Sequence, residues 1–274
     1  MKYIFLNLKR FDVPAAAGGV NRIADVAYWG KFIIESVQDS LGQYNDTQFV
    51  IFLPEAHILG AKSALKPSKN LFLGSQSVHF ANVSPGGNFG AYTTSRPAAA
   101  IAALGCEWTI IGHCEERNSI KTVLAEAGVT DMSAVNRILN KKVKCAIESG
   151  LRVLYCVGEN ADEQPMKEQV LKAQLNAIAE FKDVVIGYEP VWAIGPGKTP
   201  PDAAYINEIA QYIKSVTDSP VVYGGGLKTE NAPMIAGIDR VNGGLIALTR
   251  FAGEIGFYPA EYLEIIEKYE EVSR

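Results

Sequence analysis

The 274-residue chain is short of several things, and each shortage removes a class of function. It has no uncharged apolar run of about 18 residues, the length a membrane-crossing helix needs, so no membrane partner is expected. Its 26 basic and 30 acidic side chains leave a formal net charge of -4, which provides no basic field for nucleic acid. Its four cysteines, Cys106, Cys114, Cys145 and Cys156, form no CxxC pair. The N-terminal MKYIFLNLKRFD turns charged too soon for a secretory leader, so free thiols and a cytoplasmic location are expected. The three histidines are far apart and no carboxylate cluster has ligand spacing, so no metal and no cofactor are expected. A GxGxxG dinucleotide fingerprint is missing, and the Gly-Pro-Gly-Lys-Thr run at 195–199 lacks the first glycine of an NTPase phosphate loop. No polar linker or composition break divides the chain, which is expected to form a single domain over residues 1–274.

What is present is alternation. Eight short apolar runs read as strands: Tyr3–Leu6, Thr47–Leu53, Leu71–Gly74, Glu107–Ile111, Arg152–Cys156, Val184–Tyr188, Pro220–Tyr223 and Gly243–Leu248. Such near-continuous runs suit parallel strands buried on both faces. Between them lie helical periods. Ala134–Glu148 puts Val135, Ile138, Leu139, Val143 and Ile147 at steps of three and four, and Lys167–Ala179 does the same. Asp202 is placed to cap Ala203–Val216, and Pro259 to open a helix over Ala260–Tyr269. A repeated βα unit gives an α/β fold. It closes most economically as a (β/α)8 barrel; a doubly wound open sheet is the structural alternative.

Polar and glycine-rich residues collect at the strand ends, which in a barrel share one rim. Glu189, in GYEPVWAIGPGKT, has large or apolar neighbours and can act as a base; otherwise it caps a surface loop. The following Trp192–Gly197 stretch, which includes Gly195 and Pro196, reads as a lid. His113, in WTIIGHCEER, precedes Glu115 and Glu116 at the start of a helix, where the dipole disfavours imidazolium. A neutral ring can donate a hydrogen bond to a substrate oxygen; the alternative is a histidine satisfied by local backbone. Lys9 can neutralise an enolate or a phosphate, with Asn7 to orient it and Arg10 as a second anion partner; both bases can also be plain surface charge. Gly224, Gly225 and Gly226, followed by Leu227 and Lys228, read as an anion cradle beside a short helix near Asn231, or as a tight turn. His57 reads as a helix-start residue and His79 as part of an exposed loop. One base, one neutral electrophile, one cation and one anion cradle suffice to move a proton between adjacent carbons of a phosphorylated aldose or ketose.

At GYEPVWAIGPGKT, IIGHCEER and YGGG the sequence resembles the triosephosphate isomerase family, in the same order and over essentially the whole chain. The resemblance implies a TIM barrel that works as a homodimer in glycolysis and gluconeogenesis. It also implies enediolate proton transfer between D-glyceraldehyde 3-phosphate and dihydroxyacetone phosphate, with a small phosphorylated sugar as partner and no cofactor. It assigns Glu189 as base, His113 and Lys9 as electrophiles, Asn7 as substrate-binding residue and Glu115 as a supporting carboxylate. It gives the phosphate to the backbone of Gly195, Gly224, Gly225, Gly226, Ala247 and Leu248. Cys156, Gly158 and Glu159 match the family's CxGE run. Ser75–Thr94 matches its subunit-contact loop, including Gln76 and Thr93. Several positions depart. NLKRF replaces NWKMN, Cys114 replaces a serine and Glu116 an arginine. Pro196 enters the lid, Gly226 replaces a serine, and Ala247-Leu248 replace a glycine pair, which suggests Thr249 or Arg250 as substitute phosphate partners. These changes leave a four-carbon ketose phosphate as an alternative substrate, and a non-catalytic sugar-phosphate binding protein as an alternative role.

Overall fold

The structure is a computed structural model that describes residues 1–195 and 197–272. Within them the apolar runs become β1 (Lys2–Asn7), β2 (Thr47–Leu53), β3 (Leu71–Gln76) and β4 (Trp108–Ile111). They continue as β5 (Arg152–Val157), β6 (Val184–Tyr188), β7 (Val221–Tyr223) and β8 (Gly243–Ile246). The intervening helices are α1 (Trp29–Leu41), α2 (Glu55–Ala64), α3 (Ala98–Ala103), α4 (Cys114–Glu126) and α5 (Ser133–Glu148). Then come α6 (Lys167–Leu175), α7 (Ala203–Val216), α8 (Ala232–Ala236) and α9 (Pro259–Val272). Each strand pairs in parallel with the next, and β8 returns to β1 from Tyr3↔Gly243 to Leu6↔Ile246. That last ladder decides between the two architectures: the sheet is a closed barrel.

The strand pleat sorts side chains into two apolar regions. Phe5, Phe52, Trp108, Leu154, Val185 and Val222 fill the barrel interior. Ile4, Leu6, Ile51, Val153 and Ile186 point outward into a second cluster shared with Ile33, Leu139, Ile209 and Ile265 from the helices. Phe5 stacks on Phe52 at 5.8 Å and meets Trp108 edge-on at 5.4 Å. Gly74 makes room for this wedge, since a Cβ there would lie 2.4 Å from the Phe52 ring.

The capping expectations hold. Asp202 accepts the Tyr205 backbone N–H at 2.8 Å, and Pro259 is the first residue of α9. Other bounds move. β8 stops at Ile246, where its ladder with β1 ends at Leu6↔Ile246. Lys167–Ala179 is helical only to Leu175, and α9 continues past Tyr269 to Val272. His79 is half-buried, packed between Phe80 and Tyr92 at ring distances of 4.2 and 5.4 Å; its loop folds back on itself. Among the described residues no helix is long and apolar enough to cross a membrane.

Phe52→Ala removes a fully buried ring from the interior wedge. A loss of about 3–5 kcal/mol is expected, read as a lower denaturant midpoint at unchanged slope.

Candidate active site

The C-terminal ends of the strands gather the polar residues. At the end of β1, Asn7 Oδ1 accepts the Lys9 backbone N–H at 3.1 Å. Lys9 adopts φ 41, a left-handed conformation that a side-chain-bearing residue enters only under constraint. Gln76, at the end of β3, supplies part of that constraint by donating to the Lys9 carbonyl at 2.9 Å. The Lys9 ammonium meets Glu115 Oε1 at 2.6 Å.

His113 occupies the N-cap of α4. Its Nδ1 accepts the Glu115 backbone N–H at 3.3 Å, which leaves the ring proton on Nε2. Nε2 stands 3.1 Å from Glu189 Oε1. The ring N–H is not aligned with that oxygen, so among the described residues Oε1 is a buried acceptor with no hydrogen bond. Glu189 Oε2 accepts the Cys114 backbone N–H at 2.9 Å. The carboxylate is 2% exposed and is boxed in by glycines. A Cβ at Gly158 would lie 1.8 Å from the Glu189 carbonyl oxygen, and one at Gly224 would lie 2.8 Å from its Cγ. Cys114 feels its burial first and the Glu189 charge second, and together they push its thiol up to about 12. It is therefore a thiol at neutral pH.

Buried polar side chains brace these loops. Arg117 donates to the carbonyls of Gly112 (2.8 Å) and Cys156 (2.9 Å), tying the ends of β4 and β5 together beneath His113. Glu159 Oε1 accepts from Tyr188 (2.9 Å), Trp192 (2.9 Å) and Tyr205 (3.2 Å), which fixes the first residues after Glu189. The run VGEN pointed to Glu159 only through the family pattern; its three donors come from β6, the loop after it and α7. Glu116, in place of an arginine, accepts from the Gly112 N–H at 2.7 Å and pairs with Lys142 at 2.6 Å.

A cavity of about 550 Å³ opens over this rim. Asn7, Lys9, His113, Glu115 and Glu189 line it, together with Gly195, Gly224, Gly225, Gly226, Ala247 and Leu248. All the expected site residues therefore share one space. Pro196 lies outside the described residues. The Gly224 N–H is already engaged by the Tyr188 carbonyl at 2.6 Å. Among the described residues the N–H groups of Gly225, Gly226, Ala247 and Leu248 have no acceptor. Asn231 braces the glycine loop, accepting from Lys228 N–H (2.8 Å) and donating to the Gly226 carbonyl (3.0 Å). The Lys228 side chain runs past Gly226 and sets its ammonium 3.9 Å from the centre of the Phe251 ring. Composition and spacing gave no sign of the Lys228–Phe251 pair, which joins the loops after β7 and β8.

The substitute phosphate partners are corrected. Arg250 donates to Glu261 of α9 and stacks on Tyr258, and Thr249 donates to Glu261 at 2.8 Å, so both turn away from the cavity. Arg10 is committed to Asp12 through bonds of 2.9 and 2.7 Å. Asp12 is buried and also meets His57 Nε2 at 3.1 Å. His57 sits in the first turn of α2, so this contact ties the loop after Lys9 to the barrel's outer ring. Among the described residues, His113, Cys114 and Glu189 form a group whose potential metal-ligand atoms lie within 4.8 Å of one another.

A profile described as triosephosphate isomerase matches residues 29–267. The chain is 32% identical over 250 residues to the triosephosphate isomerase of Alkaliphilus metalliredigens, covering 85% of this chain and 92% of that protein. It is 34% identical over 233 residues to the triosephosphate isomerase of Hydrogenovibrio crunogenus, covering 79% and 85%. The crystal structure of triosephosphate isomerase from Bartonella henselae aligns with a TM-score of 0.71 at 24% identity, covering 98% of this chain and 99% of that one. At that identity the alignment is a likeness of fold.

Burial raises the Asp12 carboxyl, but hydrogen bonds from Arg10 and His57 outweigh it and hold the group below the usual aspartate range. A depressed carboxylate stabilises the fold above its unfolded pKa of about 3.9, and that contribution is lost as pH falls through the native value. Asp12→Asn is therefore expected to lower the melting temperature above about pH 5, and by progressively less below roughly pH 4. Thermal denaturation followed by circular dichroism across this range checks it.

Proposed function

The chain belongs to the triosephosphate isomerase family, and on that premise we propose that it interconverts D-glyceraldehyde 3-phosphate and dihydroxyacetone phosphate. The observation that carries the reading is the meeting of Glu189, His113 and Lys9, from three separate strand ends, in one cavity. Glu189 takes the proton from the carbon next to the carbonyl and returns it to the neighbouring carbon. His113 presents a neutral Nε2–H to the substrate oxygens. It can hydrogen-bond the enediolate without itself carrying a full positive charge. Lys9 supplies that charge from the opposite loop, oriented by Asn7 and Gln76. Glu115 keeps the ammonium in place.

The phosphate falls to the Gly195 lid and to the unpaired N–H groups of Gly225, Gly226, Ala247 and Leu248. Gly224 serves by allowing Glu189 close approach. Lys228 adds charge at the same end, where the hydroxyl and glycine pair usual in the family are absent. The triosephosphate isomerase profile and relatives do not favour a four-carbon ketose phosphate, and the presence of Glu189, His113 and Lys9 weighs against a purely sugar-phosphate-binding role.

The same reading takes residues 1–274 as one domain acting in the cytoplasm as a homodimer. The Ser75–Thr94 segment supports the dimer. Phe89 is 88% exposed at its tip and Phe80 is also exposed, an apolar protrusion that a second copy would cover.

Glu189→Gln keeps the shape of the side chain and removes the base. A loss of at least about a hundredfold in kcat is expected in a coupled assay with either triose phosphate; a near-native rate would overturn the assignment. For the dimer, light scattering should give the mass of two chains for the native protein and of one for Phe89→Asp. A native protein that runs as a monomer at micromolar concentration contradicts the interface.

A further inference from the structure

We propose that the base pocket doubles as an inhibitory site for a thiophilic divalent cation of the Zn2+ or Cd2+ type, ligated by Cys114 Sγ, His113 Nε2 and a Glu189 carboxylate oxygen. The inhibition rests on the isomerase reading, since the captured groups are the base and the electrophile; the metal site itself does not.

Three observations converge. The first is spacing. The candidate ligand atoms lie within 4.8 Å of one another, and Nε2 and Oε1 are 3.1 Å apart. Around a tetrahedral zinc with bonds of about 2.0–2.3 Å, ligand atoms stand roughly 3.2–3.7 Å apart. The histidine and carboxylate are already close to that separation, and the thiol, now 3.8 Å from the other ring nitrogen, Nδ1, closes the site by turning toward the Nε2 side. The second is the unpartnered oxygen. Glu189 is buried, and its Oε1 faces a ring nitrogen without a hydrogen bond, a lone pair aimed into the gap between the three side chains. The third is the outer support. Ligation by Nε2 requires the ring proton to move to Nδ1, which now accepts the Glu115 backbone N–H. Glu115 Oε2 stands 3.8 Å from Nδ1 and can receive that proton's hydrogen bond, giving a carboxylate–histidine–metal arrangement.

Backbone geometry holds the set together before any ion arrives. His113 and Cys114 are the N-cap and first residue of α4, and the Cys114 N–H already grips Glu189 Oε2. As the sulfur–metal bond forms, the thiol proton passes to buffer; no electron changes hands. Thiolate selects zinc or cadmium over magnesium or calcium. The family's usual serine at position 114 would offer no such ligand.

The test uses the full chain and two readouts. Cd2+ titration should produce a thiolate-to-metal absorption band saturating at one ion per chain. Zn2+ should inhibit isomerisation competitively with substrate, reversibly on adding a chelator. Cys114→Ser should abolish the band and weaken Zn2+ inhibition at least about tenfold, the scale on which lesser, outer-sphere changes already act. Cys145→Ser, buried in α5 within the core between helices and strands, should alter neither. A band or inhibition unchanged in Cys114→Ser overturns the proposal, as does an active enzyme that gives no band. A Cys114-dependent band in a protein without isomerase activity would retain the metal site and remove the isomerase reading.

Discussion

A carboxylate sealed from water has to be supported by whatever surrounds it, and the protein is built around meeting that demand at Glu189. One oxygen is held by the backbone of Cys114, the other is left facing a neutral imidazole, and glycines just past the ends of β5 and β7 clear the space. Each support comes from a different βα unit. The site therefore exists only while β4, β5, β6 and β7 keep their parallel order, so closure of the barrel is itself a functional requirement.

The same dependence governs the cation. Lys9 is held in a left-handed backbone conformation by Asn7 within its own loop and by Gln76 from β3, and Glu115 fixes its far end from α4. Backbone strain of this kind costs on the order of 1–3 kcal/mol, and packed surroundings have to offset it. Arg117 and Glu159 perform the equivalent service for His113 and for the residues after Glu189. Both place charged side chains deep in the fold, where Arg117 donates to strand-end carbonyls and one Glu159 oxygen collects three donors. Stability and catalytic geometry thus draw on the same buried polar network.

The departures from the family pattern are absorbed locally. Glu116 finds Lys142 and the Gly112 backbone within its own chain. Ala247 and Leu248 add side chains yet keep N–H groups without an acceptor among the described residues, while Lys228, resting on Phe251, brings an ammonium to that end of the cavity. Cys114 keeps the backbone contact that any residue would make there, and adds sulfur beside Glu189.

The strands were legible because parallel strands buried on both faces leave unbroken apolar runs such as Thr47–Leu53 and Val184–Tyr188, recovered here to the residue. Asp202 and Pro259 were legible because capping is decided within one turn. The chemical identities of Glu189, His113, Lys9 and Asn7 were also readable, since residue type and strand-end position are properties of the chain itself. Other features depend on contacts between segments far apart in sequence. The closing β1–β8 ladder, the turning of Arg250 onto Glu261, the grip of Gln76 on Lys9 and the meeting of Cys114 with Glu189 are of this kind. A sequence determines local conformation and chemical capacity through short-range sterics and polarity. Which groups share a cavity, and which are consumed by one another, follows only when closure of the barrel brings distant strand ends within hydrogen-bonding distance.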